Sequence, residues 1–343
     1  MKVLVTGGTG FVGAHAVKAL LGAGHEVRLL VRRPERVAPT LGAMGVDTAA
    51  LDVVEGDMVD TDAVGRAVKG MDAVIHAAAV VAALDRKSAE AALDINVTGT
   101  KTVLSAALAE GCDPVVHVSS IAAVFTPRVD LLTADLPPVV DAANPYTRSK
   151  AIADEFARER QAAGDPVVIV YPGGVCGPNA GELCGDAAEG FASILSIGFL
   201  AVTGGGVNVI DARDLAAVLV ATLVPGRGPR RYMVGGTLVS LAGLVSVFRR
   251  ATGRRIPSVR TPGALYRGLG ALFDTIRRVI PFSTVFTAEG MQLLTLAKDT
   301  DDSAVHDDLG VVYRDPETTL EDTLRGLYDA GHLTPKQAGA LAR

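Results

Sequence analysis

The sequence predicts an α/β protein built on a doubly wound parallel sheet, with a smaller C-terminal substrate lobe. Three observations carry that prediction. The chain opens on a β-branched run, Lys2 to Val5, that enters a glycine turn and then a helix-compatible stretch from Phe11 to Leu21. Short apolar runs then alternate with helical patterns as far as Ser119-Ser120, the rhythm of a parallel sheet rather than of a barrel or bundle. At 343 residues, 49% apolar and 21% charged, the chain is large enough for such a sheet and one added lobe.

The elements follow in order. Gly22-Ala23-Gly24 stops the first helix, and His25 to Val31 reads as the second strand. Leu51 to Gly56 is the third strand, Thr61 to Lys69 a helix, and Ala73 to His76 the fourth strand. Ser88 to Glu110 has a long helical pattern that Asn96-Val97-Thr98-Gly99 interrupts. Pro114 to Val118 is the fifth strand, Ile121 to Pro145 a proline-bearing loop, and Tyr146 to Arg160 an apolar-periodic helix. Residues 1–173 then form the dinucleotide-binding body, to which 206–235 return strands. Residues 174–205 and 236–343 form the lobe.

The chemistry begins in the first turn. Gly7, Gly10 and Gly13, at GxxGxxG spacing, let a pyrophosphate approach bare N–H groups at a helix N-terminus, where side chains would block it. Thr9, Phe11 and Val12 share that turn. Strand, glycine turn and helix start make half of a Rossmann-like βαβ unit. A tight turn without a ligand is the competing reading. At the end of the second strand, Arg32 and Arg33 stand where a ribose-binding carboxylate is usual in NAD-preferring units. A guanidinium grips a 2′-phosphate that a carboxylate would repel, so NADP is favoured over NAD unless these arginines are only a solvated cluster. Ala77, Ala78 and Ala79 place small residues at a strand's carboxyl end, leaving room for a cofactor or merely easing helix packing.

Tyr146 and Lys150 lie four residues apart and project from one helix face. A tyrosine is a poor acid or base near neutrality, and an ammonium one turn away favours its phenolate. Ser120, ending the neighbouring strand, can donate to a carbonyl oxygen while the tyrosine protonates it. On its own such a pair is often an exposed helix couple.

Bulk properties exclude other classes. A net charge of −5 argues against nucleic acid. Cys112, Cys176 and Cys184 have no metal spacing and suit a reducing compartment, and no histidine is paired at ligand spacing, so no metal is assigned. No leader-like or spanning segment is apparent; the longest apolar run, Leu215 to Val224, is half a span, so a cytoplasmic location is expected. Pro262 to Pro281 is amphipathic, with Arg267, Arg277 and Arg278 beside apolar residues, and reads as a lobe helix, a homodimer contact or a membrane-surface helix.

Taken together, TGGTGFVG (Thr6–Gly13), GDM (Gly56–Met58), HAAA (His76–Ala79), NVTGT (Asn96–Thr100), VSSIAAV (Val118–Val124), PYTRSK (Pro145–Lys150), PGGVCGP (Pro172–Pro178) and GGGVNVIDARDLA (Gly204–Ala216) resemble the extended short-chain dehydrogenase/reductase family, often labelled NAD-dependent epimerase/dehydratase. The resemblance runs on through RRYMVGG (Arg230–Gly236) and the segment Asp307–Leu333. It implies Tyr146 as catalytic acid/base, Lys150 lowering its pKa and holding the nicotinamide ribose, and Ser120 polarising the substrate carbonyl. It also implies Asp57 and Met58 beside the adenine, Ala77 to Ala79 in the cofactor groove, Asn96 among the cofactor residues, and Pro172 to Val175 at the nicotinamide amide. VRRP and SSIAAVF resemble the dihydroflavonol-4-reductase and 3β-hydroxysteroid dehydrogenase branch, and the C-terminal pattern is also similar to proteins labelled sugar epimerases. Tyr171 stands where the family usually has arginine. The expected function is NADP(H)-dependent reduction of a carbonyl, or oxidation of the matching alcohol, on a small or lipid-like substrate. A sugar-nucleotide epimerase or dehydratase, and a non-catalytic nucleotide sensor, are the alternatives.

Overall fold

The computed structural model describes residues 1–80, 86–277 and 288–342. In chain order the first half contains β1 (Lys2–Thr6), α1 (Phe11–Gly22), β2 (Glu26–Val31), α2 (Val37–Leu41), β3 (Asp52–Glu55), α3 (Thr61–Val68) and β4 (Ala73–His76). It continues with α4 (Arg86–Glu110), β5 (Val115–Val118), β6 (Leu131–Leu132), α5 (Pro145–Ala162) and β7 (Val167–Pro172). The second half has β8 (Gly174–Cys176), α6 (Asp186–Ile197), β9 (Leu200–Val202), β10 (Gly206–Asp211), α7 (Ala212–Ala221), β11 (Arg230–Val234), β12 (Thr237–Ser240) and α8 (Leu241–Thr252). It ends with β13 (Ser258–Arg260), α9 (Gly263–Arg277), α10 (Ala288–Thr295), β14 (Asp299–Thr300), α11 (Ser303–Leu309), α12 (Pro316–Asp329) and α13 (Pro335–Ala338).

Seven strands form one parallel sheet in the order β11-β7-β5-β4-β1-β2-β3. Its strands are apolar on both faces because helices cover both. Val3 and Val5 of β1 enter one core with α1 and α7, while Leu4 enters the other with α3, α4 and α5. The order reverses between β1 and β4, and the carboxyl ends of those strands open the crevice in which a doubly wound sheet keeps its ligand. A third core, built by Phe191 and Leu195 of α6, Leu244 and Phe248 of α8, and Leu320, Leu324 and Leu327 of α12, makes the lobe.

Three expectations are corrected. The stretch Asn96 to Gly99 does not interrupt its helix, since α4 is continuous from Arg86 to Glu110. Gly99 serves close packing instead: a Cβ there would stand 2.5 Å from Met58 Cγ. Of 206–235, only β11 returns to the large sheet, whereas β10 pairs with β8 and β12 in a separate three-stranded sheet. The segment from β14 to Arg314, expected in the lobe, packs on the body. Arg314 N donates to Asp214 Oδ2 at 2.6 Å and the Tyr232 hydroxyl to Asp308.

The amphipathic stretch forms α9, and its continuation from Arg278 to Pro281 lies outside the described residues. Cys112, Cys176 and Cys184 are buried and free. Among the described residues no helix is long and apolar enough to cross a membrane.

Candidate active site

A cleft of about 910 Å³ lies between the body and the lobe at the carboxyl end of the sheet. Its floor is the turn from β1 into α1. Gly7 takes φ +77°, and a Cβ there would lie 2.7 Å from Ala78 N. A Cβ on Gly13 would lie 2.1 Å from the Gly7 carbonyl oxygen. Gly10 caps α1 without any side-chain hydrogen bond, and the first turn carries no acidic residue. The opening N–H groups of α1 are thus free of a side-chain cap and reachable, which is what an incoming pyrophosphate requires. The cradle fits a dinucleotide.

Thr9, Gly10, Phe11, Val12 and Gly13 line the cleft, as do Arg32, Arg33, Asp57, Met58, Ala77, Ala78, Ala79, Pro172 and Val175. Arg32 Nη1 stands 4.0 Å from Asp57 Oδ2, both side chains well exposed, an arrangement too open to stabilise the fold by much. Arg36, a turn beyond, lines the same end. Asn96 does not line the cleft. It is buried behind the wall, where its amide bonds the backbone of Val80 in both directions, at 2.7 and 2.9 Å, and donates to Ser149 Oγ at 3.1 Å.

Ser120, Tyr146 and Lys150 meet on the opposite wall. Asn144 caps α5 by accepting from Tyr146 N at 2.8 Å and Thr147 N at 3.3 Å, and Pro145 sets the first helical φ. The helix start, and with it the tyrosine, is therefore fixed. Ser120 Oγ accepts from Ala122 N at 3.1 Å, which leaves its own hydrogen free on the cleft wall it shares with the Tyr146 phenol. Ser119 lines the cleft too, but its hydroxyl is buried without a hydrogen-bond partner among the described residues.

Burial raises the phenol to about 12, the Asp186 carboxylate adds to the rise, and the Ser120 hydroxyl opposes it. The lowering expected from Lys150 does not outweigh burial in the protein alone. Lys150 Nζ is turned to the Val118 carbonyl at 2.9 Å, and burial pulls its ammonium down to about 8 against the opposing charges of Asp154 and Asp186. Behind it, burial keeps His76 at about 3 and His117 well below the ordinary imidazole value, so both stay neutral.

The departure at Tyr171 is absorbed away from the cleft. Tyr171 is fully buried and its hydroxyl accepts from Arg158 Nη2 at 2.8 Å, while Arg158 Nε bonds Asp154 Oδ2 at 2.8 Å. The guanidinium comes from α5 rather than from β7.

The lobe contributes residues that the sequence did not single out. Glu182, Asp186, Glu189 and His332 line the cleft, together with Leu183, Cys184 and Leu327. Gly185, at φ +80°, packs on Phe11, where a Cβ would lie 2.7 Å from the ring. That contact holds the start of α6, and so Asp186, over the glycine turn. Burial and the neighbouring Glu189 push the Asp186 carboxyl up, and Lys150 pulls it back. Among the described lining residues, the lobe wall has no lysine or arginine.

Sheet, glycine cradle and a serine–tyrosine–lysine wall define a dinucleotide-dependent enzyme of the short-chain dehydrogenase/reductase type. Residues 3–235 match the model of the NAD dependent epimerase/dehydratase family. The chain belongs to that family and is an NAD(P)-dependent enzyme. It is 29% identical over 340 residues to the sterol demethylase protein B of Methylococcus capsulatus, covering 96% of this chain and 99% of that one. It is 30% identical over 345 residues to the 2-alkyl-3-oxoalkanoate reductase of Stenotrophomonas maltophilia, with 95% and 98% covered. Among solved structures it resembles a UDP-glucose-4-epimerase from Stenotrophomonas maltophila with bound NAD and formylated UDP-arabinopyranose. That likeness has a TM-score of 0.76 at 21% identity over 96% of this chain and 98% of that one, and it speaks to the fold alone.

Proposed function

We propose that the chain is an NADP(H)-dependent oxidoreductase that reduces a carbonyl, or oxidises the matching alcohol, on a neutral, lipid-like substrate. The observation that carries this reading is the convergence of Ser120, Tyr146 and buried Lys150 on one cleft with the glycine cradle. The bound nicotinamide supplies or accepts the hydride. Gly7, Gly10 and Gly13 admit its pyrophosphate to the start of α1, while Arg32, Arg33 and Arg36 supply the cationic end that a 2′-phosphate calls for. Ser120 donates to the substrate oxygen, and the Tyr146 hydroxyl gives up or takes back the proton there. Lys150 would hold the ribose of a bound cofactor, and its positive charge one turn from the phenol would favour the ionised form.

Two observations support a neutral substrate over a sugar nucleotide. Glu182, Asp186 and Glu189 face the cleft from the lobe, and a diphosphate would bring further negative charge against them. The relative named for a sterol points the same way, and the one named for an oxoalkanoate, a carboxylate without a diphosphate, supports the lipid-like character alone.

The test is a titration of NADPH against NADH, followed by NADPH consumption with a panel of aliphatic and steroidal ketones. NADPH binds more tightly, and at least one ketone drives steady consumption that Tyr146→Phe abolishes while leaving NADPH binding intact. Tighter NADH binding removes the NADP assignment. Turnover of a UDP-sugar without net consumption replaces the reductase reading with an epimerase.

A further inference from the structure

The outward side of α9 is apolar along its length. Leu265, Leu269, Leu272 and Ile276 recur at helical spacing and point to solvent, with exposed Ala264, Gly268 and Ala271 between them and Thr275 as the one polar interruption. A stripe of this period ordinarily faces a core. Here the opposite side does that work. Tyr266 is buried with its hydroxyl on the Ala201 carbonyl, and Arg267 Nη1 donates to Thr295 Oγ1 at 3.0 Å.

The ridge continues onto the small sheet that Tyr266 braces. Val259 of β13 is exposed, as are Phe199 and Ile197 beside the partner strand β9. These residues and the α9 stripe are between 37 and 63% exposed. Scattered apolar residues on a surface need no explanation, but a continuous helix face with an adjoining strand does.

The charge around the ridge is lopsided. From Arg249 to Arg277 there are seven arginines against the single Asp274, in a chain whose net charge is −5. Arg249 and Arg254 spend their donors on backbone carbonyls, and Arg250 pairs with Glu317 at 2.7 Å. For Arg255 and Arg260, both exposed, the structure shows no carboxylate partner among the described residues.

An apolar ridge rimmed by unneutralised arginine matches a surface that is anionic at its headgroups and apolar just beneath. We propose that α9 and the adjoining β13 edge dock the enzyme peripherally onto an anionic phospholipid bilayer. A second copy of the chain fits less well, because a two-fold contact through this face would set the arginine rim against its own equivalents. Helix α6 runs from the cleft at Asp186 to the ridge at Ile197, about 18 Å at the rise of an α-helix. The docked enzyme therefore keeps its cleft within one helix length of the lipid. The proposal stands whatever the substrate is.

The experiment is co-sedimentation of the full chain with vesicles of phosphatidylglycerol and phosphatidylethanolamine in equal parts, and with vesicles of phosphatidylcholine alone. Binding to the anionic vesicles is expected to be at least about tenfold stronger and to weaken as salt is raised. The double variant Leu269→Glu, Leu272→Glu loses binding to both, and Arg255→Glu with Arg260→Glu loses the preference for anionic lipid. Both variants keep the wild-type melting temperature and NADPH affinity, since every altered side chain is exposed and away from the cleft. Failure of the wild-type chain to sediment with anionic vesicles overturns the proposal. So does equilibrium sedimentation showing a dimer that the leucine variant splits, which would make the ridge a contact between copies.

Discussion

Lys150 Nζ donates to the Val118 carbonyl at 2.9 Å, so the ammonium one helical turn beyond Tyr146 is anchored to the end of β5. The bond compensates only part of the cost of burying the charge. The ammonium falls from an ordinary 10.5 to about 8. The unfolded chain therefore holds this proton more tightly than the folded one between those values. The penalty is fully present below pH 8, and stability recovers as pH rises from 8 to 10.5.

That gap corresponds to about 3 kcal/mol, less about 1 kcal/mol for the hydrogen bond that removal of the lysine would forfeit. Lys150→Met is accordingly expected to be more stable than wild type at pH 7, by about 2 kcal/mol, while losing turnover. Urea unfolding at pH 7 and pH 10 checks it. The advantage must shrink at the higher pH, and a less stable variant at pH 7 refutes the account.

The glycine turn makes a sharper steric prediction. Gly13→Ala drives a methyl to 2.1 Å from the Gly7 carbonyl oxygen, a backbone atom that cannot swing aside as a flexible side chain would. Relieving that contact moves the cradle, so NADPH affinity should drop by more than about tenfold and stability by about 1–3 kcal/mol. Gly65→Ala in α3 is the control, since a Cβ there meets nothing within 4 Å. It should gain about 0.5–1 kcal/mol and bind cofactor unchanged. Fluorescence titration and thermal melts of the two variants distinguish a steric cradle from a generic intolerance of substitution.

Strands β1, β2, β4 and β5 could be read within a residue or two because they are largely buried on both faces, and a run such as Val3-Leu4-Val5 leaves few other options. Edge strand β3, only half-buried, was read from its Val53-Val54 pair between turn residues. That Tyr146 and Lys150 would line one cleft together was legible for a similar reason, since residues four apart in α5 share a face. What could not be read depended on contacts between distant segments. Gly99 looked like a helix break because its partner, Met58, lies on another element. Tyr171 reads as a departure from the family pattern because its partner, the Arg158 guanidinium that donates to its hydroxyl, lies on another element, α5. Asp186 sits in a stretch without periodicity, and only the packing of Gly185 on Phe11 aims it at the cleft. Arg36 was hidden in a charge cluster of ordinary appearance.

Arg36 extends the cofactor argument. With Arg32 and Arg33 it lines the cleft, at the end where the proposed orientation puts the 2′-phosphate, and a guanidinium–phosphate hydrogen bond is worth about 1.5–3 kcal/mol. Arg32→Ala and Arg36→Ala should each weaken NADPH by about ten- to a hundredfold and leave NADH nearly unchanged. Calorimetric titration with both cofactors reads the ratio directly. An equal loss for both would make these arginines general electrostatic contributors rather than readers of the 2′-phosphate.

Asp186 is the lobe's reach into the chemistry. Its carboxylate raises both the Tyr146 phenol and the Lys150 ammonium. Removing the charge lowers both, so the phenol ionises more readily. In the alcohol-oxidising direction, where the ionised phenol takes the proton, the rising limb of the pH–rate profile should move to lower pH in Asp186→Asn. In the reducing direction, where the neutral phenol gives the proton, the falling limb should move the same way. A purely structural role for Asp186 would lower the rate at every pH without moving either limb. A pH series in both directions separates the two, with Glu189→Gln as the neighbour whose removal acts on the tyrosine only through Asp186 and should displace the limbs less.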